Sequence, residues 1–143
     1  KSLGFLVKLD TNGSNPDILQ KIINQRLVDY IAMDIKNQFS KYESTVETEV
    51  SIENIQKSIK QLLENKVDHE FRTTVVPHLV DKSDFEEIAK LINGAKRYFL
   101  QQFRNQRTLD PKLQKVMPYS KEKLQEFSEI MKKTVDEVKI RGL

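Results

Sequence analysis

The sequence predicts an α/β fold, short strands alternating with amphipathic helices in a mainly parallel sheet. Three observations carry this expectation. Four short apolar runs, 4–10, 27–36, 68–77 and 97–103, each stop at polar or turn residues. The stretches between them hold apolar residues at helical spacing behind capping residues. No linker or low-complexity tract divides the 143 residues, a length suited to a single domain, 1–143, with its own core.

The first run, GFLVKLD (4–10), closes in Thr11-Asn12-Gly13 and reads as a strand. Asn15-Pro16-Asp17 opens a helix, with Ile18, Leu19, Ile22 and Ile23 on one face. LVDYIAMDIK (27–36) is a second strand, ending in Asp34 and Lys36, and NQFSKYESTVETEV follows as a polar connection. Ser51 caps a long helix whose apolar stripe is Ile52, Ile55, Ile59, Leu62 and Leu63. DHEFRTTVVP (68–77) is a third strand stopped by Pro77. Ser83 caps the helix DFEEIAKLI, which ends at Asn93-Gly94. RYFLQQF (97–103) is a fourth strand, and 104–119 is a long connection. Ser120 opens a last helix to about residue 134, and EVKIRG offers a short closing strand.

Such alternation implies right-handed crossovers, which suit either a barrel segment or a doubly wound sheet. In both, ligands gather at the carboxyl ends of the strands. Here those ends are Asp10 to Gly13, Asp34 to Lys36, Thr74 to His78 and Gln101 to Arg104. Asp10 and Asp34, on successive strands, could face one another and take a cation or an ammonium group, or share acid and base roles. Arg72 and Arg104 could grip a carboxylate or phosphate through a fork of two hydrogen bonds. Arg72 lies inside the third strand, so it needs an acidic partner or ligand if it points inward, and otherwise an outward salt bridge.

Charge is uneven: residues 96–143 hold 12 of the 24 Lys+Arg but 6 of the 21 Asp+Glu. A basic C-terminal third can attract a phosphate, an acidic protein surface or nucleic acid. No apolar run is long enough to span a bilayer, so no membrane role is expected. The absence of cysteine excludes disulfides and thiolate ligands within the chain and fits a cytoplasmic protein. There is no glycine-rich phosphate loop, no dinucleotide fingerprint and no serine on a nucleophile elbow. His69 and His78 have no metal-ligand spacing, and no aromatics interleave with the basic residues, which argues against nucleic acid.

Taken in series, KLDTNGSNP, VDYIAMDIK, EFRTTVVP and YFLQQFR resemble the second half of radical S-adenosylmethionine activating enzymes. The likeness is to the anaerobic ribonucleoside-triphosphate reductase activating type, related to pyruvate formate-lyase activating enzyme, and covers nearly the whole chain. The resemblance implies strands three to six of a six-stranded partial (β/α) barrel. It implies S-adenosylmethionine as cofactor, with Asp10 and Thr11 of the Asp10-Thr11-Asn12-Gly13 turn near its amino and carboxylate groups. In the pyruvate formate-lyase relative that region can hold a monovalent cation. Asp34 and Lys36 match the next cofactor segment, and Arg72 with the backbone around Val75-Val76 the one after. Arg104 stands where that relative has a histidine near the adenine, a departure. Residues 138–142 match the closing segment.

The resemblance also implies a [4Fe-4S] cluster on a C-x-x-x-C-x-x-C loop, and a Gly-Gly-Glu segment; neither is in this sequence. The expectation is a C-terminal fragment, inactive alone and binding the cofactor no better than millimolar. The intact enzyme would generate a 5′-deoxyadenosyl radical to activate a glycyl-radical enzyme, its protein partner. The edge of the first strand, left free, would invite a homodimer. Two other readings stand beside this one: a non-catalytic α/β binding module, and a radical enzyme acting on tRNA or a peptide.

Overall fold

The structure is a computed structural model and describes residues 1–106, 108 and 110–143. Five strands, β1 (Lys8–Thr11), β2 (Tyr30–Asp34), β3 (Asp68–Val75), β4 (Arg97–Gln102) and β5 (Glu137–Arg141), form one parallel sheet in the order β1-β2-β3-β4-β5. Between them lie α1 (Pro16–Asn24), the short α2 (Tyr42–Val46), α3 (Ile52–Leu63), α4 (Lys82–Leu91) and α5 (Lys121–Met131). Sequential order without reversal is the winding of a barrel segment. A doubly wound sheet would reverse its strand order at a switch point, so this topology decides between the two architectures open from the sequence.

Register assigns the two faces. Leu9, Ile31, Met33, Phe71, Val75, Tyr98, Leu100, Val138 and Ile140 share one face, where they join helix residues Leu19, Ile23, Ile55, Ile59, Leu62, Phe85, Ile88, Leu124, Phe127 and Met131 in the core. Phe85 of α4 stacks on Phe127 of α5 with ring centroids 4.6 Å apart. The other face carries Lys8, Asp10, Tyr30, Asp34, Glu70, Arg72, Arg97, Phe99 and Arg141, and none of these belongs to that core. The helix layer therefore lies on one side, and the opposite face is a charged, open surface.

Local chemistry explains the helix ends. Asn15 and Ser51 accept hydrogen bonds from the Ile18 and Asn54 amides, and Pro16 needs no donor at the first helical position. Ser120 caps α5 by accepting from Lys123. For α4 the cap is Asp81, two residues ahead of the expected Ser83. The Asp81 carboxylate accepts from the Ser83 and Asp84 amides while Asp84 accepts from the Asp81 amide, a reciprocal box that a lone serine hydroxyl cannot match.

Three expectations shift. The first strand starts at Lys8, because residues 4–6 extend past the end of β2 without a ladder partner, and Leu3, Phe5 and Leu6 stay exposed. The connection after β2 folds into a 3-10 turn (Phe39–Lys41) and α2, anchored by Tyr42 and Asn37, both buried. The last helix ends at Met131. The expected closing strand forms as β5, and a 3-10 turn (Pro111–Lys115) interrupts the connection 104–119, of which residues 107 and 109 lie outside the described set. Among the described residues, no helix is long and apolar enough to cross a membrane.

Candidate functional site

At the carboxyl end of β1 the chain turns sharply so that α1 can return along the core side. Gly13 sits at φ +75°, a conformation open to glycine, with its carbonyl accepting from the Ser58 hydroxyl at 2.8 Å. This pins the turn to α3 and leaves Asp10 and Asn12 exposed, with Thr11 partly covered. Gly13 itself is buried against Met33 and Ser58. Thr11 and Asn12 stabilise the turn by accepting from the Gly13 and Ser14 amides.

The end of β2 is held against β3: the Ile35 amide donates to the Arg72 carbonyl at 2.8 Å, and the Thr73 hydroxyl to the Ile35 carbonyl at 2.7 Å. That puts Asp34 beside its register partner Arg72. Arg72 points to the open face and finds acidic partners there. Its Nε donates to Asp34, and its Nη2 donates to Asp10 at 3.1 Å. Lys36 donates to the second Asp34 oxygen at 2.7 Å. The two carboxylates are thus joined through one guanidinium, a geometry only a planar fork supplies. Burial acts to raise Asp34, but hydrogen bonds from Arg72 and then Lys36 outweigh it and hold its carboxyl below the usual carboxylate range. Burial acts to lower Arg72, and its bonds to Asp34 and Asp10 more than reverse that.

Asp10, Thr11, Asn12, Asp34 and Arg72 line one open cleft of about 390 Å³. Lys36 faces two neighbouring hollows. The smaller, about 210 Å³, is shared with Asn12, Tyr42 and Val46. The larger, about 720 Å³, sits over the ends of β3 and β4 and is lined in part by Thr74, Val76, Gln101 and Arg104. Its volume is that of a small-molecule pocket. Glu47, which lines it, and His78, beside its lining residue Leu79, both hold left-handed backbone conformations that such side chains rarely adopt. The structure therefore brings together the expected Asp10, Thr11, Asn12, Asp34 and Arg72, sets Lys36 at their edge, and places Arg104 in the adjoining cleft. The Val75 side chain lies in the core, on the far side of the sheet.

Sequence reasoning missed a second charged cluster lower on the same face. Glu70, its side chain 2% exposed, accepts from Tyr30 at 2.8 Å and from both Arg141 nitrogens at 2.8 and 3.0 Å. Burial acts to raise Glu70, and the Arg141 and Tyr30 hydrogen bonds pull it below its ordinary value. The Arg141 guanidinium lies flat on Phe99, 3.3 Å from the ring centroid. Lys8 joins this cluster to the first, its ammonium 3.5 Å from Asp10 and 3.8 Å from Glu70. The signal was present in the period-two run Asp68, Glu70, Arg72, Thr74 of β3.

Comparison with known proteins follows the same lines. No protein-family model matches the chain. A Methanocaldococcus jannaschii protein, provisionally named a glycyl-radical enzyme activating enzyme, is 37% identical over 147 aligned positions, which take in 100% of this chain. The chain spans 61% of that relative's length. A crystal structure of a domain of pyruvate-formate lyase-activating enzyme from Bacteroides vulgatus superposes with a TM-score of 0.76 at 15% identity, over 99% of this chain and 84% of the other. The chain thus has the open α/β sheet of that activating-enzyme domain, and a sequence similar to that of a protein named for glycyl-radical enzyme activation.

Proposed function

We propose that this chain is the cofactor-binding, C-terminal part of a radical S-adenosylmethionine enzyme that activates a glycyl-radical enzyme. The observation that carries the reading is the convergence of three separate sequence segments on one cleft, with Arg72 joining Asp10 to Asp34 and Lys36 alongside. An amino-acid end bearing an ammonium and a carboxylate is matched by this set of two carboxylates and two cations. Asp10, with its side chain 56% exposed, would take the ammonium, and Arg72 and Lys36 the carboxylate. Arg104 and Gln101, in the larger cleft, would face the adenosyl end. When bound and given an electron, this cofactor supplies a 5′-deoxyadenosyl radical that can take hydrogen from a glycine of the partner enzyme.

The iron–sulfur cluster does not fit these residues. The sequence has no cysteine, and among the described residues no three His, Cys, Asp or Glu side chains gather closely enough to hold a metal ion. In this reading the cluster ligands and the remaining cofactor contacts belong to sequence outside these 143 residues, and the role of this chain is to bind and orient.

Titration of the 15N-labelled chain with S-adenosylmethionine, followed by amide shifts, tests the assignment. Expected is millimolar binding, with shifts concentrated at residues 10–13, 34–36 and 72–76, and at least a tenfold weakening in Arg72→Ala, about 1.4 kcal/mol. Shifts elsewhere, or an unaffected Arg72→Ala, would refute it.

A further inference from the structure

The open face carries an unbroken series of alternating charges: Arg141, Glu70, Lys8, Asp10, Arg72, Asp34 and Lys36, each within 4 Å of the next. Six of the seven pack to hydrogen-bonding distance of a neighbour, but Lys8 is suspended. Its ammonium stands 3.5 Å from Asp10 and 3.8 Å from Glu70, beyond ordinary hydrogen-bond length from both. It also lies 5.7 Å from the centre of the Tyr30 ring. Glu70 is the fixed member, almost fully covered and held from β2 by Tyr30 and from β5 by Arg141. Lys8 and Asp10 are both half exposed, and Asp10 is bonded on one side to Arg72.

We propose that Glu70 is a positioning residue for the Asp10–Arg72 cleft: by sharing Lys8 it keeps that ammonium from closing on Asp10, and so leaves the Asp10 carboxylate open to a cationic amino group of the ligand. The inference rests on the cofactor reading above, since it presumes that the ligand presents an ammonium to Asp10. With Glu70 uncharged, the Tyr30 ring, 5.7 Å away, is a weaker draw on Lys8 than a carboxylate. The lysine then collapses onto Asp10 and competes with the ligand. Glu70 touches no ligand in this arrangement; it acts through Lys8.

A double-mutant cycle on the whole chain, with S-adenosylmethionine as probe and dissociation constants from amide shifts, tests this. Glu70→Gln is expected to weaken binding roughly twofold to fivefold, the range of one exposed ion pair. Lys8→Met, at an exposed position that does not endanger folding, is expected to tighten it by a similar factor. In the Lys8→Met background, Glu70→Gln is expected to change nothing. The same weakening in that background would make Glu70 merely structural and overturn the proposal, as would a Lys8→Met chain that binds no tighter than the parent. Asp10→Asn separates the two levels. Unchanged binding there removes the cofactor reading, and this inference with it; lost binding with additive Lys8 and Glu70 effects removes the inference alone.

Discussion

Replacing Gly13 by alanine tests the link between the β1 turn and the core. Gly13 has φ +75°, and a Cβ built on it would lie 2.1 Å from the terminal methyl of Met33 and 3.1 Å from its sulfur. Two costs add. Holding alanine in the left-handed region takes about 1 kcal/mol. Forcing Met33, fully buried, out of its rotamer in a filled core takes about 1–3 kcal/mol more. The sum is about 2–4 kcal/mol, or a fall in melting temperature of roughly 6–12 °C for a chain of this size. Urea unfolding followed by circular dichroism measures it directly. In a Met33→Ala background the steric part disappears, so Gly13→Ala should then cost only about 1 kcal/mol. A loss below about 0.5 kcal/mol in the parent would refute the reasoning, as would an equal loss in both backgrounds.

Two further outcomes are expected. Burial lowers the pKa of His69, against a smaller opposing effect of its hydrogen bond to the Val67 carbonyl, so the folded chain binds that proton less readily than the unfolded one. Stability is therefore complete above the unfolded value near pH 6.5 and declines as pH falls toward the folded one. Urea midpoints at pH 7.5 and 5.5 should show the decline, and His69→Gln should flatten it; the stabilisation from the depressed carboxyls of Asp34 and Glu70 is in place at both pH values and is lost only on further acidification, below about pH 4.5. Asp84→Ala removes a fully buried carboxylate that accepts from Gln38, Lys41 and the Asp81 amide, and should cost about 2–3 kcal/mol in the same assay while loosening residues 37–46 to hydrogen exchange.

The strand ends were legible because each apolar run stops abruptly at chemistry-bearing residues, and a parallel sheet must bring such ends to one side. That rule alone gathers Asp10, Asp34 and the segment after β3. It could not find Glu70, which lies in mid-strand, away from the strand ends; the alternation of Asp68, Glu70, Arg72 and Thr74 was the signal that marks a polar face there. Glu70 is buried, but by Arg141 and Tyr30 rather than by a helix. The α4 cap was misplaced for a local reason: Ser83 is an ordinary cap, yet Asp81 and Asp84 stand at the three-residue spacing that lets two carboxylates serve both amides. The connection 37–50 looked like loop by composition. Its order comes from Asn37, which donates to Thr45 and the Leu79 carbonyl, and from Tyr42, contacts between distant segments that no local pattern announces. Strand one begins late because extended backbone needs a neighbour to pair with, and β2 offers none before Val7, whose carbonyl accepts from the Tyr30 amide.

The single-sided helix layer has a consequence for how anything large could reach this molecule. A sheet covered on both faces admits a ligand only at its rim, whereas here the broad face of five strands is open from the side, so a folded partner could lay a segment along it without any helix moving. Attraction would not arrive ready-made, because Arg72, Arg97 and Arg141 on that floor are already matched to anions beside them, and Lys8 is shared between two. A visitor wins contacts only by exchanging them for pairs already present, which makes the floor selective by arrangement of charge rather than by its sum.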